Sequence, residues 1–210
     1  MQEQLTLLSV RRVHSRAMLV LSNGETLVMP RAMLRERPYR GGTPFDRASY
    51  EAFIRDRAYP FAMEKAVALL SMRSRTEREL REALRLAAYP ETVVERVIER
   101  MSEAGYVDDA DFAKSWAASR TSKGMGARRI RMELRQKGVA SETIEDTLTA
   151  LDEEDCFEGA MKAARKAAHG RDLSSPSDRQ KITAALLRRG YDYSAARRAL
   201  AALLEEEDHP

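Results

Sequence analysis

The C-terminal three-quarters of this chain align with themselves three times, and this internal repeat constrains the fold more than any other feature. Leu80 and Leu84 match Ile130 and Leu134, and then Ile182 and Leu186. Ten residues after each second member stands another apolar position, Val94, Ile144 or Ala196. Four further on are Ile98, Leu148 and Leu200, and three beyond those are Met101, Leu151 and Leu203. Each unit thus carries two amphipathic helices with one spacing and one apolar stripe. A preceding helix completes each unit: Phe61 to Met72, Asp109 to Arg120 and Asp155 to Ala168. The sequence predicts three tandem three-helix repeats with a period of about 50 residues, stacked into an elongated, curved array.

Junctions inside the repeats follow helix-end chemistry. The segments KGV and RGY place Gly138 and Gly190 where a helix closes in the left-handed region. The first repeat reads AAY instead, so its turn at Ala88 is expected to differ. Thr76, Gly126 and Asp178 share one equivalent position, and each is acceptable as an N-cap. Thr76 with Glu79 has the spacing of a capping box. Leu84, Ile98, Leu134, Leu148, Leu186 and Leu200 are the expected core.

The first thirty residues read differently. Leu19 to Met29 sets Asn23-Gly24 between two β-prone runs, a short-range hairpin signal. Leu5 to Val13 can supply a third strand, because a lone hairpin is marginal in water. The segment YRGGTPF, Tyr39 to Phe45, reads as a turn-rich linker, and no strand is expected after Asp46. The fold class is mainly α behind a small N-terminal β-hairpin region. The boundaries are 1–45 for hairpin and linker, 46–107 for a helical lead-in and repeat one, 108–152 for repeat two, and 153–210 for repeat three with an acidic tail.

Charge narrows the possible partners. The 210 residues carry 36 basic and 33 acidic side chains, a net charge of only +3, so affinity for a polyanion must come from local clustering. Such a cluster lies in SKGMGARRIRMELRQKG, Ser122 to Gly138. On a helical wheel Arg128, Arg131 and Arg135 fall on one arc, opposite Ile130 and Leu134. Lys123, Arg129 and Lys137 adjoin them. Repeat one repeats the arrangement with Arg78, Arg81 and Arg85, but interleaves Glu77, Glu79 and Glu82. Repeat two has only Glu133, so its positive charge should be the least compensated. Repeat three has Gln180, Thr183 and Leu187 at the equivalent positions. A solvated charged face is the bland alternative.

Catalytic readings find little support. Gly124-x-Gly126 lies between helices, whereas a dinucleotide fingerprint follows a strand, and no G-K-[ST] completes a Walker loop. The glycines read instead as a loop expansion, with Gly126 leaving the first N–H groups of its helix open to an anion. Asp108, Asp109 and Asp111 stand at a helix start, where the dipole favours acids. His14, His169 and His209 are scattered, Trp116 near Phe112 reads as core, and LEEEDHP reads as a frayed helix end. No catalytic residue, cofactor or metal is expected. Cys156 is the single cysteine, which excludes an intramolecular disulfide and fits a reducing compartment. With no apolar run of about 18 residues and no signal-peptide core, a soluble, cytoplasmic protein is expected, and separately a monomer.

RSRTERELREAL, GYVDDADFAKSWAASR, KGMGARRIRMELRQKGV and LLRRGYDYSAARRAL resemble the signature segments of the RecX family, regulators of the RecA recombinase. The resemblance covers roughly residues 60 to 204, and its motifs are specific in combination. The family pattern carries Pro after the second loop glycine, where this chain has Ala127, a change expected to loosen the helix start slightly. The resemblance implies a non-enzymatic protein of DNA repair, homologous recombination and the SOS response. It would bind RecA filaments along their groove, contact single- and double-stranded DNA weakly, and depress RecA's ATPase, strand exchange and coprotease action. A free-standing, largely sequence-nonspecific helical DNA-binding protein is the rival reading.

Overall fold

In the computed structural model, residues 4–208 are described, and they form two compact units that divide between Asp108 and Asp109. His209 and Pro210, the end of the acidic tail, lie outside the described residues.

The first unit opens with strands β1 (Thr6–Val13), β2 (Arg16–Leu21) and β3 (Thr26–Pro30), all antiparallel to their neighbours. Asn23-Gly24 makes the β2–β3 turn as its sequence requires. Gly24 has φ 85° and donates its N–H to Leu21 O at 3.0 Å, and the Asn23 side chain accepts from the Glu25 N–H at 3.1 Å. Period-two alternation sends Leu7, Ala17, Leu19, Leu21 and Met29 to one buried face. The segment expected to be only a linker does more. Thr43–Pro44 forms a short β4 beside Thr6 and Leu7, giving the sheet order β3-β2-β1-β4. Phe45 follows it into the core, with its ring centroid 5.6 Å from that of Tyr50 and 6.1 Å from that of Tyr39. An edge strand of two residues leaves too short a pattern to read from sequence.

Helix α1 (Arg47–Met72) runs unbroken from the lead-in, starting well before Phe61. Asp46 caps it by accepting the Ala48 N–H at 3.1 Å. Ala58, Ala62 and Ala66, four residues apart, give it a small-residue seam against the core. α2 (Glu77–Leu86) is capped by Thr76, whose hydroxyl accepts the Glu79 N–H at 3.1 Å. α3 (Glu91–Glu103) then buries Val94, Val97, Ile98 and Met101. The turn between them corrects the reading of Ala88. Ala88 adopts φ 66°, and the Tyr89 N–H reaches Leu84 O at 3.3 Å, as the Val139 N–H reaches Leu134 O at 3.2 Å in the next repeat. The turn is the same one, held without glycine, so packing of Ala87 and Tyr89 overrides the backbone preference.

The second unit holds α4 (Asp109–Thr121), α5 (Ala127–Gln136), α6 (Ser141–Thr149), α7 (Glu153–Ala168), α8 (Pro176–Arg188) and α9 (Tyr193–Asp208). Ile130, Leu134 and Ile144 join Phe112, Ala113 and Ala117 in one core. Ile182, Leu186, Ala196 and Ala199 join Ala160, Ala163 and Ala164 in another. Two expected core residues, Leu148 and Leu200, are only partly buried. Leu148 ends in a groove, and in α9 the inner seam is taken by Ala196 and Ala199. The cap of α8 also moves: Ser175 precedes Pro176 at the first helical position, so Asp178 lies inside the first turn. There its carboxylate accepts the Asp172 N–H at 3.2 Å and pairs with Lys181 at 2.7 Å.

Repeats two and three meet backbone to backbone. The Gly126 N–H donates to Arg189 O at 2.9 Å, and the Arg128 N–H to Gly190 O at 3.0 Å. A Cβ on Gly126 would fall on the backbone of Gly190 and Tyr191, and one on Gly190 would fall on Arg129.

Candidate interface of the basic helices

Helix α5 displays its basic residues on the face opposite Ile130 and Leu134, as the wheel requires, because those two are wholly buried. Their partners differ from the expected ones. Arg131 forms a bidentate pair with Glu145 of α6, both bonds at 2.7 Å. Arg81 of α2 does the same to Glu95 of α3, at 2.9 and 3.1 Å. The acid sits 14 residues after the arginine in both repeats, a signal present in the self-alignment but not used. Within the repeat-two triad, Arg131 is therefore compensated from the following helix, a partner the wheel did not supply. Hydrogen bonds from Arg131 hold the Glu145 carboxyl below the usual carboxylate range.

The rest of the repeat-one triad is also engaged: Arg78 pairs with Glu82 at 2.8 Å, and Arg85 with Glu91. In repeat two Lys114, Lys123, Arg128, Arg129 and Arg135 are exposed, and of these Arg129 is paired with Glu133. Among the described residues, Arg128 and Arg135 make no ion pair, although their fields help lower Asp192 and Glu145 respectively.

Arg129 and Lys137 belong to a cluster that the sequence did not announce. Trp116 stacks on Phe112 with centroids 5.7 Å apart, and its Nε1 donates to Glu133 at 3.2 Å. The Arg120 guanidinium lies 4.1 Å and the Lys137 ammonium 4.2 Å from the indole centroid. Glu133 accepts from Arg120 at 2.7 Å and from Arg129 at 2.9 Å. Burial alone would raise its carboxyl, but hydrogen bonds from Arg129 and Arg120 outweigh it and lower the pKa. Trp116 is thus half-buried beneath cations, not simply core.

The anion site expected at the start of α5 is closed. The Gly126 and Arg128 N–H groups are taken by the Arg189 and Gly190 carbonyls just after α8, and Arg189 Nη1 reaches Gly124 O at 3.2 Å over the same loop. Arg189 and Lys162, which donates to Ser122 O at 3.0 Å, are basic residues that sequence reasoning missed. Among the described residues, no group of three His, Cys, Asp or Glu could hold a metal ion, and no helix is long and apolar enough to cross a membrane.

Tandem three-helix repeats define a class of helical-repeat protein. Three successive segments match the first, second and third three-helix domains of RecX, at residues 62–101, 108–148 and 153–200. The chain belongs to the RecX family. It is 35% identical over 147 residues to the regulatory protein RecX of Mycolicibacterium vanbaalenii, covering 66% of this chain and 80% of that one. It is 35% identical over 171 residues to that of Streptomyces coelicolor, covering 80% and 89%. The Escherichia coli O1:K1 protein is 37% identical over 152 residues, covering 67% and 90%. A crystal structure of regulatory protein RecX shares the fold with a TM-score of 0.62 at 23% identity, covering 92% of this chain and 97% of that one. RecX from Lactobacillus salivarius gives 0.64 at 22% identity, covering 69% and 96%.

Proposed function

We propose that this protein is a non-enzymatic regulator that binds RecA–DNA filaments and lowers RecA's ATPase, strand exchange and coprotease action. The exposed cations Lys123, Arg128 and Arg135 of repeat two contribute the docking charge, meeting phosphates or carboxylates. What supports the reading is membership of a family of regulatory proteins, together with Arg128 and Arg135 standing unpaired on α5 and Lys123 exposed in the turn before it. Arg131 and the arginines of repeat one, already held by carboxylates, act as a reserve that a partner's anion must compete for. The protein acts in the cytoplasm as a monomer.

The test is RecA's single-stranded-DNA-dependent ATPase in the presence of wild type and of the triple variant Arg128→Ala, Arg131→Ala, Arg135→Ala. Wild type should inhibit at or below stoichiometric amounts, and the triple variant much less, with Gln180→Ala in repeat three as an inert control. Equal inhibition by a folded triple variant would place the docking face elsewhere. If wild type neither binds the filament nor alters its ATPase, the reading fails altogether.

A further inference from the structure

The N-terminal sheet buries one face in the core of the first unit. Directly opposed residues share a face, so the strand register lays out the other. Ser9, Val20 and Thr26 form one row of it, and Arg11, Met18 and Val28 form the next, all at least partly exposed. Val13 and Arg16 oppose each other beyond them. Arg11 and Arg16 are therefore diagonal neighbours on this face, with Cα atoms about 7–8 Å apart. Arg31 flanks them after β3. Its backbone N–H donates to Ser15 O at 2.9 Å and its Nη1 to His14 O at 3.2 Å, which ties it to the β1–β2 turn. Arg12 is exposed at the same end of β1.

Between Leu5 and Arg31 these four arginines meet a single acid, Glu25. Glu25 is already committed, because Arg47 pairs with it and the Asn23 amide donates to it at 3.4 Å. Farther along the unit, Glu36 is held by Arg57 at 2.7 Å and Glu64 by Arg35 at 2.6 Å, while Asp46 caps α1. Among the described residues, no ion pair involves Arg11, Arg12, Arg16 or Arg31. Arg81 and Arg131, by contrast, are each held by a carboxylate of the following helix. The sheet face thus carries positive charge that nothing nearby balances.

We propose that this face docks the sugar–phosphate backbone of duplex DNA, with Arg11 and Arg16 on phosphates and Arg12 and Arg31 adding their field at the hairpin end. The inference rests on the DNA contact in the proposed function, and extends it to the N-terminal sheet, which that reading leaves unused. Charge complementarity selects a polyanion. The lack of rings selects its backbone: no residue of these rows is aromatic, and Tyr39, Phe45 and Tyr50 pack on the core side. Unpaired bases are held by stacking, and lipid surfaces by aromatic and large apolar anchors, so the face matches neither. A guanidinium fork meets phosphate bidentately, and the Ser9 and Thr26 hydroxyls can donate to further phosphate oxygens. Duplex DNA offers dense charge, one per about 1.7 Å of helix axis.

The experiment follows a fluorescein-labelled duplex oligonucleotide binding to the full chain, by anisotropy, across a salt series. The sheet should steepen the salt dependence beyond what the cations of repeat two give by themselves. Arg11→Thr with Arg16→Thr keeps strand-forming residues at both positions and every cation of repeat two. At about 0.9 per phosphate, log K against log salt should be about 2 flatter for this variant than for wild type. Between about 50 and 200 mM salt, wild type should therefore lose about tenfold more affinity than the variant does. Arg11→Lys with Arg16→Lys preserves the charge and should preserve the wild-type slope. Arg11→Thr alone, at an exposed position, should flatten the slope by about 1, which keeps the test open if the double variant unfolds. Two duplexes of unrelated sequence should respond alike, because backbone contacts carry no sequence information, and an effect confined to one of them overturns the inference. An unchanged slope in the folded double variant overturns it too, and leaves repeat two as the DNA contact. If that variant loses inhibition of RecA's ATPase at an unchanged slope, the face binds an acidic protein surface instead. If wild type binds no DNA, this inference falls, while its inhibition of RecA's ATPase still tests the proposed regulation by itself.

Discussion

The Arg128 N–H donates to the Gly190 carbonyl oxygen at 3.0 Å, so the first turn of α5 leans on the turn that follows α8. Gly190 occupies φ 91°, and a side chain there would collide with Arg129. Gly170 has φ 74° in the same unit but open space around it. Gly170→Ala should therefore cost about 1 kcal/mol, the left-handed backbone penalty alone. Gly190→Ala should cost clearly more, about 3 kcal/mol, because backbone must also move. Urea melts of the two variants check the difference.

Ala88 invites the opposite change. It holds φ 66° where the later repeats use glycine. Ala88→Gly should stabilise the first unit by about 0.5–1 kcal/mol, relief of the left-handed strain less the added freedom of the unfolded chain. A lowered melting midpoint for that unit would contradict this.

Glu133 should make the second unit acid-sensitive. Its folded carboxyl lies below its unfolded value, because hydrogen bonds from Arg129 and Arg120 outweigh burial. The stabilisation is therefore fully present above the unfolded value of about 4.3, and is lost as pH falls through the folded value. Glu133→Gln should cost about 2 kcal/mol at neutral pH, and its deficit against wild type should shrink as pH drops below about 4. Trp116, the single tryptophan, donates to this carboxylate and supplies the fluorescence readout.

DNA binding should depend on salt through the exposed cations. If Lys123, Arg128 and Arg135 each neutralise a phosphate, log K against log salt should slope at about −3 on duplex DNA. Arg128→Ala with Arg135→Ala should flatten that slope by about 2, whereas Arg131→Ala alone should change it little, since Glu145 already holds that guanidinium. A salt-independent affinity would remove phosphate contact from the account, and tight binding to DNA alone, without RecA, would favour the free-standing DNA-binding protein.

What the sequence made legible was whatever repeats or recurs locally. Leu84, Leu134 and Leu186 are buried as their shared stripe requires, and Asn23-Gly24 turns the hairpin as its chemistry demands. The pairing of Arg131 with Glu145 was hidden because a helix wheel sees one helix at a time. The closure of α5 by Gly190 was hidden for a related reason: an N-terminal glycine shows that donors are open, not which distant carbonyl will fill them. Ala88 misled because residue preference was weighed without the packing of its neighbours.

The acceptors for Gly126 and Arg128 lie a whole repeat downstream of their donors. On a ribosome, repeat two therefore emerges with the start of α5 uncapped, and it stays so until Gly190 has cleared the exit tunnel. A nascent chain or a fragment ending before that residue should consequently show α5 amides exchanging quickly with solvent, and should be cut there by proteases. The start of α5 in repeat two thus stays open until the third repeat has folded against it.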